Sequence, residues 1–221
     1  MSFITDWLDW FPTLFDGLLL SLQITGLSLL LGLPVGLLLA VFASSRNALV
    51  RGICVGVVEI SRGAPALVVL QLFYFGLPST GITLSSFTAG FAALALTTAA
   101  FTSEILRAGL QAVPAGEIEA CQTLGVSRLD TLRFVVIPQG LRIALPALMG
   151  FAILIFQATS LCFTIAVPEL LSQAYSIGSS TFKYFSVLAL AGLLYAAVTI
   201  PATWLVGVTE KRMSRHLTLA H

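Results

Sequence analysis

The sequence predicts an all-α integral membrane protein of about five transmembrane helices, with an extra helix in the connection between the third and fourth. Three observations carry that fold class. Of 221 residues, 57% are hydrophobic and only 10% charged, with a mean hydropathy of +0.99. A soluble domain carries about 25% charged residues to solvate its surface, so here lipid must stand in for the missing water. The charges that exist are separated by long neutral windows, and the basic ones fall on alternate connections.

A charge in the bilayer core costs roughly 2.5–3.5 kcal/mol even on lenient insertion scales, which makes neutral windows the primary signal for spans. The window between Asp16 and Arg46 gives a first span near 17–43. Before it, residues 1–16 hold Asp6, Asp9 and Asp16 but no Lys or Arg. A secretory signal needs a basic start, so this segment is expected to stay, outside the membrane. The window from Arg62 to Glu104 is too long for one helix and breaks at the turn-rich run Gly76–Gly81. Spans near 50–75 and 84–110 result. Two further windows give spans near 137–166 and 184–208. The membrane domain thus covers 17–210, followed by a tail at 211–221, with no soluble domain attached.

Two acid–base pairs lie inside spans, Glu59 with Arg62 and Glu104 with Arg107. At i,i+3 spacing each pair shares a helix face. Ionisable groups in a span face protein or a water-filled cavity. Both a packing salt bridge and a transport role fit. Cys54, Cys121 and Cys162 show no CxxC or metal-type spacing and read as small apolar filler.

With the N-terminus outside, the inner segments hold Arg46, Arg51, Arg107, Arg128, Arg133, Arg142, Lys211, Arg212 and Arg215, nine basic residues; the outer ones hold Lys183 alone. The positive-inside rule therefore predicts an external N-terminus and a cytoplasmic C-terminus.

The connection at about 111–136 is the long one. Pro114 and the acidic Glu117 and Glu119 suit a helix start, apolar residues recur at Ile118, Cys121 and Leu124, and Gly125 suits a left-handed end. Ser127 then caps a second segment, with Asp130 three residues on. Pro138 and Pro146 follow and can bend the returning helix. Such a helix could lie on lipid headgroups or dock into a groove on a cytoplasmic partner. Its acidic face and its small residues Ala120, Cys121 and Gly125 favour docking.

Glu119-Ala120-Cys121, three residues, Gly125, and then Ile137-Pro138 resemble the EAA loop of bacterial ABC importer permeases, with Cys for the third position and Ile for the Leu before proline. Glu59-Ile60-Ser61-Arg62-Gly63-Ala64-Pro65 resembles the E-x-x-RGTP segment of the polar amino acid permeases. Tyr74–Pro78, Thr102–Arg107 and Val167-Pro168-Glu169-Leu170 resemble three further segments, in the family's order. The resemblance implies a type I ABC importer permease fold and a second permease around a central pathway. It implies an external solute-binding protein, and a cytoplasmic ATPase dimer that binds ATP and Mg and grips Glu119, Ala120, Cys121, Gly125 and Pro138. No G-x-x-x-x-G-K-[ST] loop is present, Lys183 and Lys211 being the only lysines, so this chain is expected to bind no nucleotide and to catalyse nothing itself. No metal or nucleic acid is implied.

Where these permeases commonly read K-D-T-S-L, this sequence has Gln157-Ala158-Thr159-Ser160-Leu161. A charge pair has become an amide and a methyl group. Either a partner permease carries the charged site, in a heterodimer, or a related solute such as an opine is held by Gln157, Thr159 and Ser160 through neutral hydrogen bonds. Alternatively these polar groups only join helices. Glu59 and Arg62 complete the candidate pathway. An ion-coupled secondary transporter is the rival reading, but no internal repeat is visible. A channel would need a polar stripe that the spans lack. An intramembrane hydrolase lacks its base, since His216 and His221 both lie in the tail.

Overall fold

A computed structural model describes the backbone of residues 3–45 and 47–218, with side chains from 5 to 213 apart from 46. Arg46 and His221, and the side chains of Arg215 and His216, lie outside the described residues. Among these residues there are helices and turns but no strand. Helix α1 is Phe3–Ala43, α2 Ala48–Gly63, α3 Ala66–Gln71, α4 Ser86–Gln111, α5 Ala115–Thr123, α6 Arg128–Thr131, α7 Ile137–Ala158, α8 Leu170–Thr181 and α9 Tyr184–Thr218. Four of the described helices are long and apolar enough to cross a membrane, and the bent pair around Ala64-Pro65 makes a fifth.

The boundaries differ from the expected ones where charge misleads. Helix α1 begins well before Gly17, at Phe3, so the segment read as preceding the first span is helical and continuous with it. At 1.5 Å per residue α1 is roughly 60 Å long, about twice a hydrocarbon core. Its acidic start is accommodated because Asp6 pairs with Lys183, whose ammonium also sits 5.9 Å from the Trp10 ring. Trp7 donates its indole N–H to the Ser186 hydroxyl at 2.9 Å.

The second span is not straight. Its halves, Ala48–Gly63 and Ala66–Thr80, meet at 96°. Pro65 explains the break: the residue before a proline is pushed out of the helical region, and Ala64 sits at φ −84°, ψ 130°. Beyond α3 the chain widens through a π-turn at Leu72–Gly76 and then tightens into a 3₁₀ turn at Leu77–Thr80. The fourth span starts earlier than expected, because α6 runs through a π-turn at Leu132–Val136 into α7. Pro138 has no N–H and its ring would strike the carbonyl four residues back, so a widened turn just before it is the accommodating geometry. That span ends in a 3₁₀ turn at Thr159–Ile165. Helix α8 was not foreseen; its residues lie between the expected spans 137–166 and 184–208.

Helix α4 is the centre. In its most apolar window 67% of residues are buried, against 28% in α1, α7 and α9. The outer helices leave large apolar side chains exposed, among them Leu30, Leu38, Leu154 and Trp204, as lipid-facing surfaces do. With no hydrophobic drive between helices in lipid, close backbone approach does the joining. Helix α1 meets α4 through Gly32 and Gly36: a Cβ on Gly32 would lie 2.5 Å from that of Thr98, and one on Gly36 would strike the Thr102 hydroxyl. Ser28 adds a hydrogen bond to the Phe91 carbonyl at 3.1 Å. On the other side Gly109 backs onto the Gly140 carbonyl, closing α4 on α7. Gly36→Leu is expected to lower the thermal unfolding midpoint of the purified protein, by about 1–3 kcal/mol of overpacking. Gly26→Leu, where a Cβ meets nothing within 4 Å, is expected to leave it unchanged.

Candidate functional site

At one end of the bundle the connection from α4 to α7 stands clear of the protein. Pro114 precedes α5, and no residue of α5 is buried. Gly125 adopts φ +74°, the left-handed turn expected of it, and its N–H bonds to the Gln122 carbonyl at 3.1 Å. Ser127 caps α6 by accepting the Asp130 N–H at 3.2 Å. The apolar face is narrower than the sequence pattern implied. Residues spaced three apart walk backward around a helix by about 60° per step, so Ile118 and Leu124 diverge. Ile118 is half-buried over a cavity of about 600 Å³ shared with Val41, Leu110, Leu132 and Val136, whereas Leu124 is 81% exposed. Glu119, Ala120, Gly125 and Pro138 are exposed and Cys121 is half-buried. Leu129, 72% exposed, and Phe134, 66%, extend this surface. An unforeseen tie fixes its angle: Gln139, at the start of α7, donates to the Glu117 carboxylate.

The two acid–base pairs converge. Arg107 binds Glu104 through two nitrogens at 2.6 and 2.9 Å. Arg62 Nη1 stands 3.8 Å from Glu59 and also 3.8 Å from Glu104, which joins α2 to α4 in one network of four charges. The Arg62 guanidinium lies 5.5 Å from the centroid of Phe101, and Phe101 stacks on Phe151 at 5.7 Å. Local i,i+3 spacing indicated each pair, but the link between them needs the tertiary fold.

Gln157, in the last turn of α7, and Thr159 and Ser160, in the 3₁₀ turn that follows, are not brought together. Thr159 is fully buried and its hydroxyl turns back to the Phe156 carbonyl at 2.7 Å. Ser160 donates to the Gln157 carbonyl at 2.8 Å. Gln157 is exposed, and its amide makes no side-chain hydrogen bond among the described residues. Thr159 therefore faces the interior packing rather than an open path.

Glu169 is the residue whose environment is most unlike what the sequence suggests. It is fully buried. Its carboxylate accepts the N–H groups of Leu171 at 2.9 Å and Ser172 at 2.8 Å, capping α8, and the Tyr195 hydroxyl of α9 at 3.1 Å. Ser21 of α1 accepts the adjacent Leu170 N–H at 3.4 Å. Burial pushes this carboxyl above the usual range, against the pull of those donors.

The family described as the binding-protein-dependent transport system inner membrane component has a sequence model that matches residues 32–215, most of the chain. The chain belongs to that family. Among its relatives, this inner-membrane component is 35% identical over 207 residues to the probable amino-acid ABC transporter permease protein YckA of Bacillus subtilis, covering 94% of this chain and 92% of that one. It is 36% identical to the nopaline transport system permease protein NocM of Agrobacterium fabrum, covering 94% and 90%. It is 33% identical to the histidine/lysine/arginine/ornithine transport system permease protein HisM of Salmonella typhimurium, covering 92% and 91%. The crystal structure of an amino acid ABC transporter with histidines superimposes with a TM-score of 0.88 at 32% identity, covering 96% of this chain and 99% of that one. The inward-facing MetNI methionine ABC transporter matches at 0.69 and 22% identity, covering 95% and 99%, and so shares the fold. The inner-membrane component has the all-α, type I ABC importer permease fold, with its transmembrane spans gathered on α4.

Proposed function

We propose that this permease moves a polar amino acid or a related small solute such as an opine across the cytoplasmic membrane, powered by a separate ATPase. The observation that carries the reading is the α5 joint: an uncovered helix ending on a left-handed Gly125 and flanked by Leu124 and Leu129, both more than two-thirds exposed. Exposed leucines at the tip of a membrane protein's connection want a protein partner. Glu119, Ala120, Cys121, Gly125 and Pro138 form the surface offered to it. ATP and Mg belong to that partner. A second permease, in a heterodimer by preference, covers the exposed flank that carries Gln157. An external binding protein delivers the solute. The N-terminus is outside and the C-terminus in the cytoplasm.

Closure of the ATPase dimer drags α5, and the tie from Glu117 to Gln139 passes the movement to α7. A bistable bundle then rocks between outward- and inward-facing states. The substrate class is supported by amino-acid and opine permeases among the relatives. The test is uptake by proteoliposomes containing both permeases and the ATPase, loaded with ATP and supplied with the binding protein. Uptake should need nucleotide hydrolysis. Uphill accumulation by this chain alone, driven by an ion gradient, would sink the reading in favour of a secondary transporter.

A further inference from the structure

We propose that the groove between α7 and α9 holds an acyl chain of an anionic phospholipid whose phosphate is bound by Arg142 and Arg212; this goes beyond the importer reading and does not depend on it. The groove measures about 240 Å³ and lies between Met149, Ile153 and Phe156 of α7 and Ala202, Leu205 and Val206 of α9. Thr199 is the one polar residue in its wall. Phe156 closes one end, where its ring meets that of Tyr195 with centroids 5.4 Å apart. Leu205 is 50% exposed, and Met149, Ile153, Ala202 and Val206 are half-buried, so the groove is open along its side.

The occupant follows from what surrounds the groove. Both helices span the membrane, so the molecule at hand is a lipid. An unfilled apolar groove forfeits dispersion contacts that a flexible chain restores. Charge then selects among lipids. Arg142 shares the helix face of Met149, and Arg212 that of Leu205, each seven residues, or about 10 Å, further along its helix. Helix α7 runs towards Phe156 and α9 away from it, so both arginines fall at the same end, opposite the one that Phe156 closes. Both are exposed, and neither forms an ion pair or hydrogen bond among the described residues. An arginine stem can lie along an apolar helix while its planar head makes two bonds to a phosphate. Glu210 does not compete, being turned about 200° around α9 from Arg212. Phe151, which stacks on Phe101, lies on the other side of α7, about 140° round from Phe156. The groove therefore opens away from the four-charge network of Glu59, Arg62, Glu104 and Arg107.

The experiment counts, by native mass spectrometry, the phospholipids kept by the full-length permease, alone and assembled with its partner permease and ATPase. Dioleoyl phosphatidylglycerol and dioleoyl phosphatidylcholine, which share their chains and differ in charge, are titrated in turn. One phosphatidylglycerol should be retained at about tenfold lower concentration than phosphatidylcholine, in both preparations. Arg142→Gln with Arg212→Gln should erase that preference. Arg51→Gln with Arg133→Gln removes as much charge elsewhere on the chain and should keep it. Ala202→Phe fills the groove and should weaken retention at least tenfold with both arginines in place; Ala152→Leu does the same from α7 and serves if the first variant fails to fold. Equal retention of the two lipids would overturn the proposal, as would an equal loss in both arginine pairs or full retention by the filled groove. Loss of the lipid on assembly would also overturn it and assign the groove to the partner permease. Transport is not read, so none of these outcomes touches the importer reading.

Discussion

Gly125→Arg is expected to leave the permease inserted and folded yet to abolish ATP-driven uptake. The chain itself has room for the side chain: a Cβ at Gly125 would meet nothing within 4 Å among the described residues. Two penalties remain. The φ of +74° costs an L-residue roughly 1–2 kcal/mol, which is local and survivable. The larger effect is on docking, since a long cation would project from the turn that the ATPase must approach. Gly125→Ala separates the two, because it carries the backbone strain without the bulk. Retained uptake in Ala and lost uptake in Arg, with equal amounts of permease in the membrane, assigns the loss to the interface. Normal uptake by the Arg variant would remove α5 from the coupling joint.

Glu169→Ala is expected to be the most destabilising single truncation outside the spans. It strands the N–H groups of Leu171 and Ser172 and the hydroxyl of Tyr195 inside the protein, at about 1–3 kcal/mol for each unsatisfied group. A total of roughly 3–9 kcal/mol is a large part of any domain's stability. Glu169→Gln keeps an acceptor for the cap and an amide for Tyr195, and should recover most of it. The two variants also differ in pH dependence. Because burial raises this carboxyl above its ordinary value of 4.5, the folded protein holds the proton to higher pH than the unfolded chain. The associated stability is complete below that ordinary value and is lost as pH rises through the folded one. Thermal unfolding of the purified protein over that window should slope downward for wild type and flatten for Gln. Equal slopes would mean that Glu169 is not the titrating group.

The sequence was most informative where one local rule governs. Neutral windows located the spans, and Pro114, Gly125 and Ser127 marked the ends of α5 and α6, because caps and left-handed turns are decided within a few residues. Charge was a poorer guide to where helices begin. Asp6 looked like a barrier to α1, but Lys183, far along the chain, accepts it. Pro65 stood in view, yet a 96° bend was not foreseen because the residues on both sides remain apolar. Helix α8 was missed because it is short and rich in serine, and its N-cap is a glutamate rather than Ser, Thr, Asp or Asn. In the candidate site, the two i,i+3 pairs were visible, but their meeting at Arg62 and Glu104 was not. The grouping of Gln157, Thr159 and Ser160 came from the resemblance to the K-D-T-S-L segment; α7 ends among them, leaving Gln157 exposed and Thr159 buried.

The enclosure of α4 has a consequence for how this permease can vary. A span that touches bulk lipid has at least one side on which leucine, isoleucine and phenylalanine interchange freely. Ala89, Ala93, Leu94, Ala99, Ala100 and Leu106 of α4 are each no more than 2% exposed and spread over successive turns, so little such indifferent surface is left beyond Leu96. In a saturation library this segment should tolerate few exchanges, even apolar ones, while neighbouring segments drift. The drift would stop where each of them crosses α4.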